Sequence, residues 1–148
     1  MDAKDRKLLN RLQENFPLVG EPYKKIGAEI GLSEKEVLGR IKKFYGEGVI
    51  RRFGILINHK TLKYFSTLLG VRISEKKLPA LVKFVTRRPE VTHCYHRRGE
   101  YNLWFTFLTP KKSVFEKFYA QLKRKYGAEN ILNLPTIRSF KLRTTFEV

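Results

Sequence analysis

Within the 148 residues of this chain, the side chains able to move protons, bind metal or grip anions gather in one short stretch, VTHCYHRRGEYNLWF, from Val91 to Phe105. It holds His93 and His96, the single cysteine Cys94, the single tryptophan Trp104, Tyr95, Tyr101 and the pair Arg97 and Arg98. Histidine changes charge near neutral pH, which suits it to acid–base work or to ligating a metal. Arginine offers a planar fork of donors that matches a carboxylate. Strand alternation puts Val91, His93, Tyr95 and Arg97 on one face and Thr92, Cys94, His96 and Arg98 on the other. His96 therefore shares no face with His93 unless a bulge intervenes. Cys94 reads as a small buried hydrophobe rather than a thiolate ligand. Of the neighbours Trp104 and Phe105, one packs under helices and the other lines an exposed face. The remaining histidine, His59, lies in INHKTL, and Arg51 and Arg52 stand together in GVIRRFG.

Two units must position these residues, 1–58 and 59–148. In the first, DRKLLNRLQENF spaces Leu8, Leu9 and Leu12 as a helix that stops before Pro17. PYKKIGAEIG places Tyr23, Ile26 and Ile30 on one stripe, with Pro22 at the first turn and Gly31 as a left-handed cap. SEKE reads as a capping box, and Val37, Leu38, Ile41 and Phe44 form the buried face of a third helix ending near Gly46. The second and third helices make a helix-turn-helix, and the alternation in GVIRRFGILIN predicts a strand after it, a winged form. In the second unit FSTLLGVRI reads as a strand, KKLPALVKFVTRR as a helix, and EVTHCYHRRGEYNLWFTFLT as two strands turning at Gly99. KKSVFEKFYAQLKRKYG is a helix with Val114, Phe115, Phe118 and Leu122 inward, and IRSFKLRTTFEV is the closing strand. The order is β-α-β-β-α-β, a ferredoxin-like α+β arrangement that leaves one sheet face free to bind or to dimerise.

The chain is 42% hydrophobic and 13% aromatic, enough for a packed core. Its apolar runs are far shorter than the roughly 20 residues of a membrane span, and MDAKDRK lacks the apolar core of a signal peptide, which reads as cytoplasmic with no membrane contact. One cysteine excludes an internal disulfide and a multi-cysteine zinc site. A net charge of +17 first suggests nucleic acid, since basic proteins gain affinity by releasing counterions from phosphates. Residues 1–58 carry 12 Lys and Arg against 8 Asp and Glu, net +4, whereas residues 59–148 carry 19 against 6, net +13. A solvated lysine-rich surface accounts for many of these lysines, and less well for the clustered arginines.

The architecture resembles the Lrp/AsnC regulators, an N-terminal winged helix-turn-helix before a ferredoxin-like effector-type domain. NFPLVGEPYKKIGAEIGLSEKEVLGRIK, GVIRRFGILINHKTL, VTHCYHR and EYNLWFT resemble a branch of that family, the siroheme decarboxylases of alternative haem and haem d1 biosynthesis. Two departures from the regulators support the branch: FPLVGEPY inserts an apolar segment before helix two, and GEYN replaces the usual GDYD. The resemblance implies a carboxy-lyase acting on siroheme, an iron tetrapyrrole, two of whose acetate arms lose carbon dioxide, with no cofactor beyond the tetrapyrrole itself. It implies a homodimer or a heterodimer with a related chain. His93 and His96 are then the catalytic candidates, with His93 also a candidate axial ligand to the substrate iron. Arg51, Arg52, His59, Tyr95, Arg97, Arg98, Tyr101 and Trp104 are the substrate-binding candidates, although Arg51 and Arg52 equally suit a solvated wing or a phosphate contact. Two other readings stand beside it. One is a DNA-binding regulator sensing a small molecule or haem, with Lys35, Arg40, Lys42 and Lys43 on helix three facing a groove. The other is a non-catalytic carrier or supporting subunit.

Overall fold

The computed structural model describes residues 1–141 and 145–148. Met1–Leu56 with Lys141–Val148 form one compact unit, and Ile57–Phe140 form another. The sequence boundary after residue 58 thus falls two residues later than the junction, and residues near the C-terminus return to the first unit.

In the first unit α1 (Ala3–Glu14), α2 (Pro22–Ile30) and α3 (Glu34–Gly46) bury Leu8, Ile26, Val37 and Phe44 against one another. Asp2 caps α1 and Ser33 caps α3, each in a reciprocal capping box with the residue three positions on. Gly31 ends α2 at φ 71°, a left-handed conformation that a side chain would strain. Gly27 lets the turn close: a Cβ there would collide with the Leu32 carbonyl. Leu38, expected in the buried face of α3, is 37% exposed, so the stripe is narrower than its spacing suggested.

The wing strand expected in GVIRRFGILIN does not form. Residues 52–58 carry no strand, because alternation sets only which side chains share a face, whereas a ladder also needs a partner strand. Ile55 and Leu56 are accordingly 89% and 79% exposed. Phe53 is anchored, its ring 5.1 Å from Phe16, which in turn meets Tyr23 at 5.7 Å.

The second unit runs β1 (Phe65–Val71), α4 (Leu78–Thr86), β2 (Val91–His96), β3 (Leu103–Thr109), α5 (Lys112–Tyr126), a 3-10 turn (Ala128–Asn130) and β4 (Ile131–Pro135). The strands pair antiparallel in the order β2-β3-β1-β4, the ferredoxin-like arrangement. Leu103, Phe105 and Phe107 of β3 point into a core with Leu81, Val85, Phe115, Phe118 and Leu122 of the helices. The closing strand lies earlier than expected. Ile131–Pro135 fills the free edge of β1, from Val71 opposite Ile131 to Thr67 opposite Pro135. Proline has no N–H to extend a ladder. Residues 136–141 and 145–148 carry no strand, and the rest of that expected strand, 142–144, lies outside the described residues.

Candidate functional site

Helices cover one face of the sheet, and the register shows what the other face presents. On β3 the residues alternate with those of the core, so Trp104 and Thr106 point away from the helices. Across the ladder, Tyr95, Trp104, Gly70 and Leu132 form one row, and His93, Thr106, Leu68 and Leu134 the next. With strands spaced about 4.8 Å apart, each row spans about 14 Å. The result is a flat platform carrying an imidazole, a phenol and an indole at its β2–β3 side and leucines at its β1–β4 side.

A bulge tunes this face. Between Val91 and His93, β2 advances two residues while β3 advances one, from Phe107 to Thr106. Val91 therefore packs into the core with Cys94, and does not share a face with His93 as uninterrupted alternation required. His93 and Tyr95 remain together on the open face, ring centroids 6.3 Å apart and 21° from parallel. The Thr92 hydroxyl lies 3.0 Å from His93 Nδ1. Nε2 is then the nitrogen left to address a ligand. Arg97 sets its guanidinium 5.4 Å from the centre of the Tyr95 ring, a cation–π contact that brings a positive charge to the same edge.

The Trp104 indole lies against Gly70. A Cβ at that glycine would come within 2.9 Å of the ring, so a strand glycine is what allows the indole to lie on the sheet. The indole N–H donates to the Tyr101 carbonyl at 2.6 Å, and the Tyr101 ring meets it edge-on at 6.5 Å. Phe105, its neighbour, is buried. This settles which of the two lines the exposed face.

The other candidates do not all converge. His96 sits opposite Leu103, on the helix side of the sheet edge, with Nε2 3.3 Å from a Glu75 carboxylate oxygen, and does not join His93. His59 lies in the turn before β1, where its carbonyl accepts from the Tyr64 N–H. Arg98 is exposed in the β2–β3 turn, which Gly99 makes at φ 137°. Arg51 and Arg52 are exposed in the first unit, beside anchored Phe53. Cys94 is half-buried and its thiol is pushed up by burial, which disfavours a thiolate. Among the described residues no group of three or more His, Cys, Asp or Glu could hold a metal ion. Among the described residues no helix is long and apolar enough to cross a membrane. Leu68, Gly70, Leu132 and Leu134 were missed in the sequence. The glycine inside an otherwise apolar strand was the available signal; the leucines become visible only with the strand order.

Residues 5–51 match the family described as siroheme decarboxylase NirDL-like HTH domain, and residues 64–141 match the AsnC-like ligand binding domain. The siroheme decarboxylase alpha subunit of Desulfovibrio desulfuricans is 36% identical over 148 residues, covering 100% of this chain and 85% of that protein. The chain belongs to the siroheme decarboxylase family. In structure it is similar to the siroheme decarboxylase NirDL solved in co-complex with an iron-uroporphyrin III analogue, with TM-score 0.73 and 28% identity over 97% of this chain and 47% of that one. It is also similar to an AsnC family transcriptional regulator from Agrobacterium tumefaciens, with TM-score 0.78 and 25% identity over 99% of this chain and 96% of that one.

Two further contacts concern α3 and the GEYN motif. On α3, Arg40 is turned inward: its guanidinium bonds Asp2 at 2.8 Å and also Asp5, so it is spent on joining α3 to α1. In GEYN, the Asn102 carboxamide accepts from the Ile73 N–H at 3.0 Å and donates to the Ile73 carbonyl at 2.8 Å. A carboxylate there could accept but not donate. Asparagine thus ties the loop after β1 to the start of β3.

Proposed function

We propose that the chain is a decarboxylating subunit that acts on siroheme together with a related chain. The observation that carries this reading is the open sheet face of a family member: an imidazole with Nδ1 already engaged, beside a phenol, an indole and an arginine. A flat tetrapyrrole needs a broad apolar and aromatic wall, which the platform supplies. When an acetate arm loses carbon dioxide, the electron pair of the broken C–C bond passes to the methylene carbon and the ring. A proton delivered to that carbon completes the methyl group. His93 is the proposed proton donor through an Nε2–H or, with Nε2 unprotonated, the axial ligand to the substrate iron. Arg97 is the proposed partner of an arm that does not react, through paired hydrogen bonds to its carboxylate. His96, tied toward Glu75, is left as an edge residue. The NirDL chain is about twice as long as this one, which supports a second, related chain completing the assembly.

The regulator reading is not favoured, since Arg40 of α3 is engaged within its own unit. The test is an absorbance titration with siroheme beside a duplex-DNA shift assay at physiological salt, followed by anaerobic decarboxylation read by mass spectrometry with the partner chain supplied. Wild-type protein should bind the pigment far more tightly than the duplex. His93→Ala should retain pigment and lose about 10²–10⁴-fold in rate, the scale of a lost general acid. Sequence-specific DNA binding without pigment binding would overturn the reading, and wild-type turnover by His93→Ala would remove that residue from the chemistry.

A further inference from the structure

The cations of the two units are disposed differently. In the first unit several are paired with acids of the same unit, Arg11 with Glu29, Lys24 with Glu21, Arg40 with Asp2 and Asp5, and Lys43 with Glu47. On the helical layer of the second unit few are. Residues 76–88 carry five Lys and Arg with no Asp or Glu, and residues 111–126 carry six with one acid, Glu116. Among the described residues the one ion pair there is Lys112 with Glu116, at 3.9 Å.

These charges share one surface. Both helices pack on the same side of the sheet, Arg88 beyond α4 donates to Gln121 of α5 at 3.1 Å, and the Phe84 and Phe118 rings stack at 5.9 Å. Lys83 on α4 and Arg87 just past its end stand one turn apart, Lys117 and Arg124 two turns apart on α5, and all four are exposed. The ion-pair networks of heat-adapted proteins alternate both signs, whereas this surface carries eleven cations against one acid, so such a network does not account for it.

We infer that the α4/α5 face binds the phosphate backbone of nucleic acid without reading its sequence. Uncompensated cations gain affinity for a phosphate array by releasing its counterions, and no base contact is needed. An acidic protein is the weaker fit. Protein interfaces are depleted in lysine and rely on exposed aromatic anchors, whereas here Phe118 is buried and cations lie over the rings, Arg88 5.7 Å from Phe118 and Lys125 5.1 Å from Phe84. This binding is independent of the decarboxylase reading and differs from operator recognition by α3.

The test is fluorescence anisotropy of the full chain with a labelled random-sequence duplex across a salt series. Wild type should bind at low salt, with log affinity falling by about 0.9 per phosphate contacted for each unit of log salt. The K83E/R87E/K117E/R124E variant should weaken binding at least tenfold and flatten that slope, and the corresponding glutamine variant should do so to a smaller degree. Reversal of Lys35 and Lys42 on α3 should leave affinity within twofold. Siroheme titration and circular dichroism of every variant separate this surface from the pigment site and from misfolding. The inference is overturned if duplex binding is absent at low salt, as it would be for a face that serves only an acidic protein. It is also overturned if the α3 reversal, and not the α4/α5 variants, removes binding.

Discussion

Gly70→Ala tests the platform at its most crowded point. Glycine here does not have a positive φ, so alanine fits the backbone and should gain about 0.4–1 kcal/mol by restricting the unfolded chain. Against this, its Cβ would meet the indole at 2.9, 3.0 and 3.2 Å, well inside ordinary contact. The ring is rigid and its N–H is held by the Tyr101 carbonyl, so it must tilt as a body and lengthen that bond. Overpacking of this kind costs about 1–3 kcal/mol. The net expectation is a loss of about 1 kcal/mol, or a urea midpoint lower by about 0.3–1 M for a slope of about 1–3 kcal/mol/M. Trp104 is the only tryptophan, so its fluorescence reports on this site alone. The emission maximum should shift to the red as the indole leaves the sheet, and pigment affinity should fall with it. If emission, urea midpoint and pigment affinity all match the wild type, the indole does not rest on Gly70 and the platform has been drawn wrongly.

Asn102→Asp keeps an acceptor for the Ile73 N–H but loses the donor to its carbonyl, and should lower stability by about 1 kcal/mol in urea titration; an unchanged midpoint would show that the clasp contributes nothing. Arg40→Gln tests the α1–α3 junction. Arg40 and the Asp5 N–H hold the Asp2 carboxyl below its ordinary 3.8, and the Asp2 N–H and Arg40 do the same for Asp5. The stabilisation is therefore complete above that value and is lost as pH falls through the lowered folded values. Melting curves of wild type and Arg40→Gln should differ at neutral pH and converge in acid, and a pH-independent gap would refute the ionic origin. Gln13 exchanges two hydrogen bonds with the Phe146 backbone, at 2.9 and 2.8 Å, and Asn10 two with Val148, at 3.3 and 3.1 Å. The double variant Asn10→Ala/Gln13→Ala should release the residues around Phe146, seen as faster amide exchange there, with unchanged exchange as the refuting result.

The helices and their ends were legible because their causes are local: Ser33 with Glu36, Pro22, Gly31 and the apolar stripes lie within a few residues of the structure they produce. The strand order followed from the sequence of element types, since few topologies accommodate β-α-β-β-α-β. Where pairing depends on distant chain, the sequence pattern was insufficient. GVIRRFGILIN alternates like a strand yet finds no ladder partner, and the closing strand proved to be ILNLP, because that segment reaches the free edge of β1. The candidate site divides in the same way. Alternation was enough to separate His93 from His96, as parity survives the bulge that moves Val91 to the core. That Trp104 lies over Gly70, that leucines of β1 and β4 complete the platform, and that Arg40 turns toward Asp2 and Asp5 were decided by tertiary structure. Each depends on which residues, far apart in sequence, the sheet register and helix packing bring within a few ångströms.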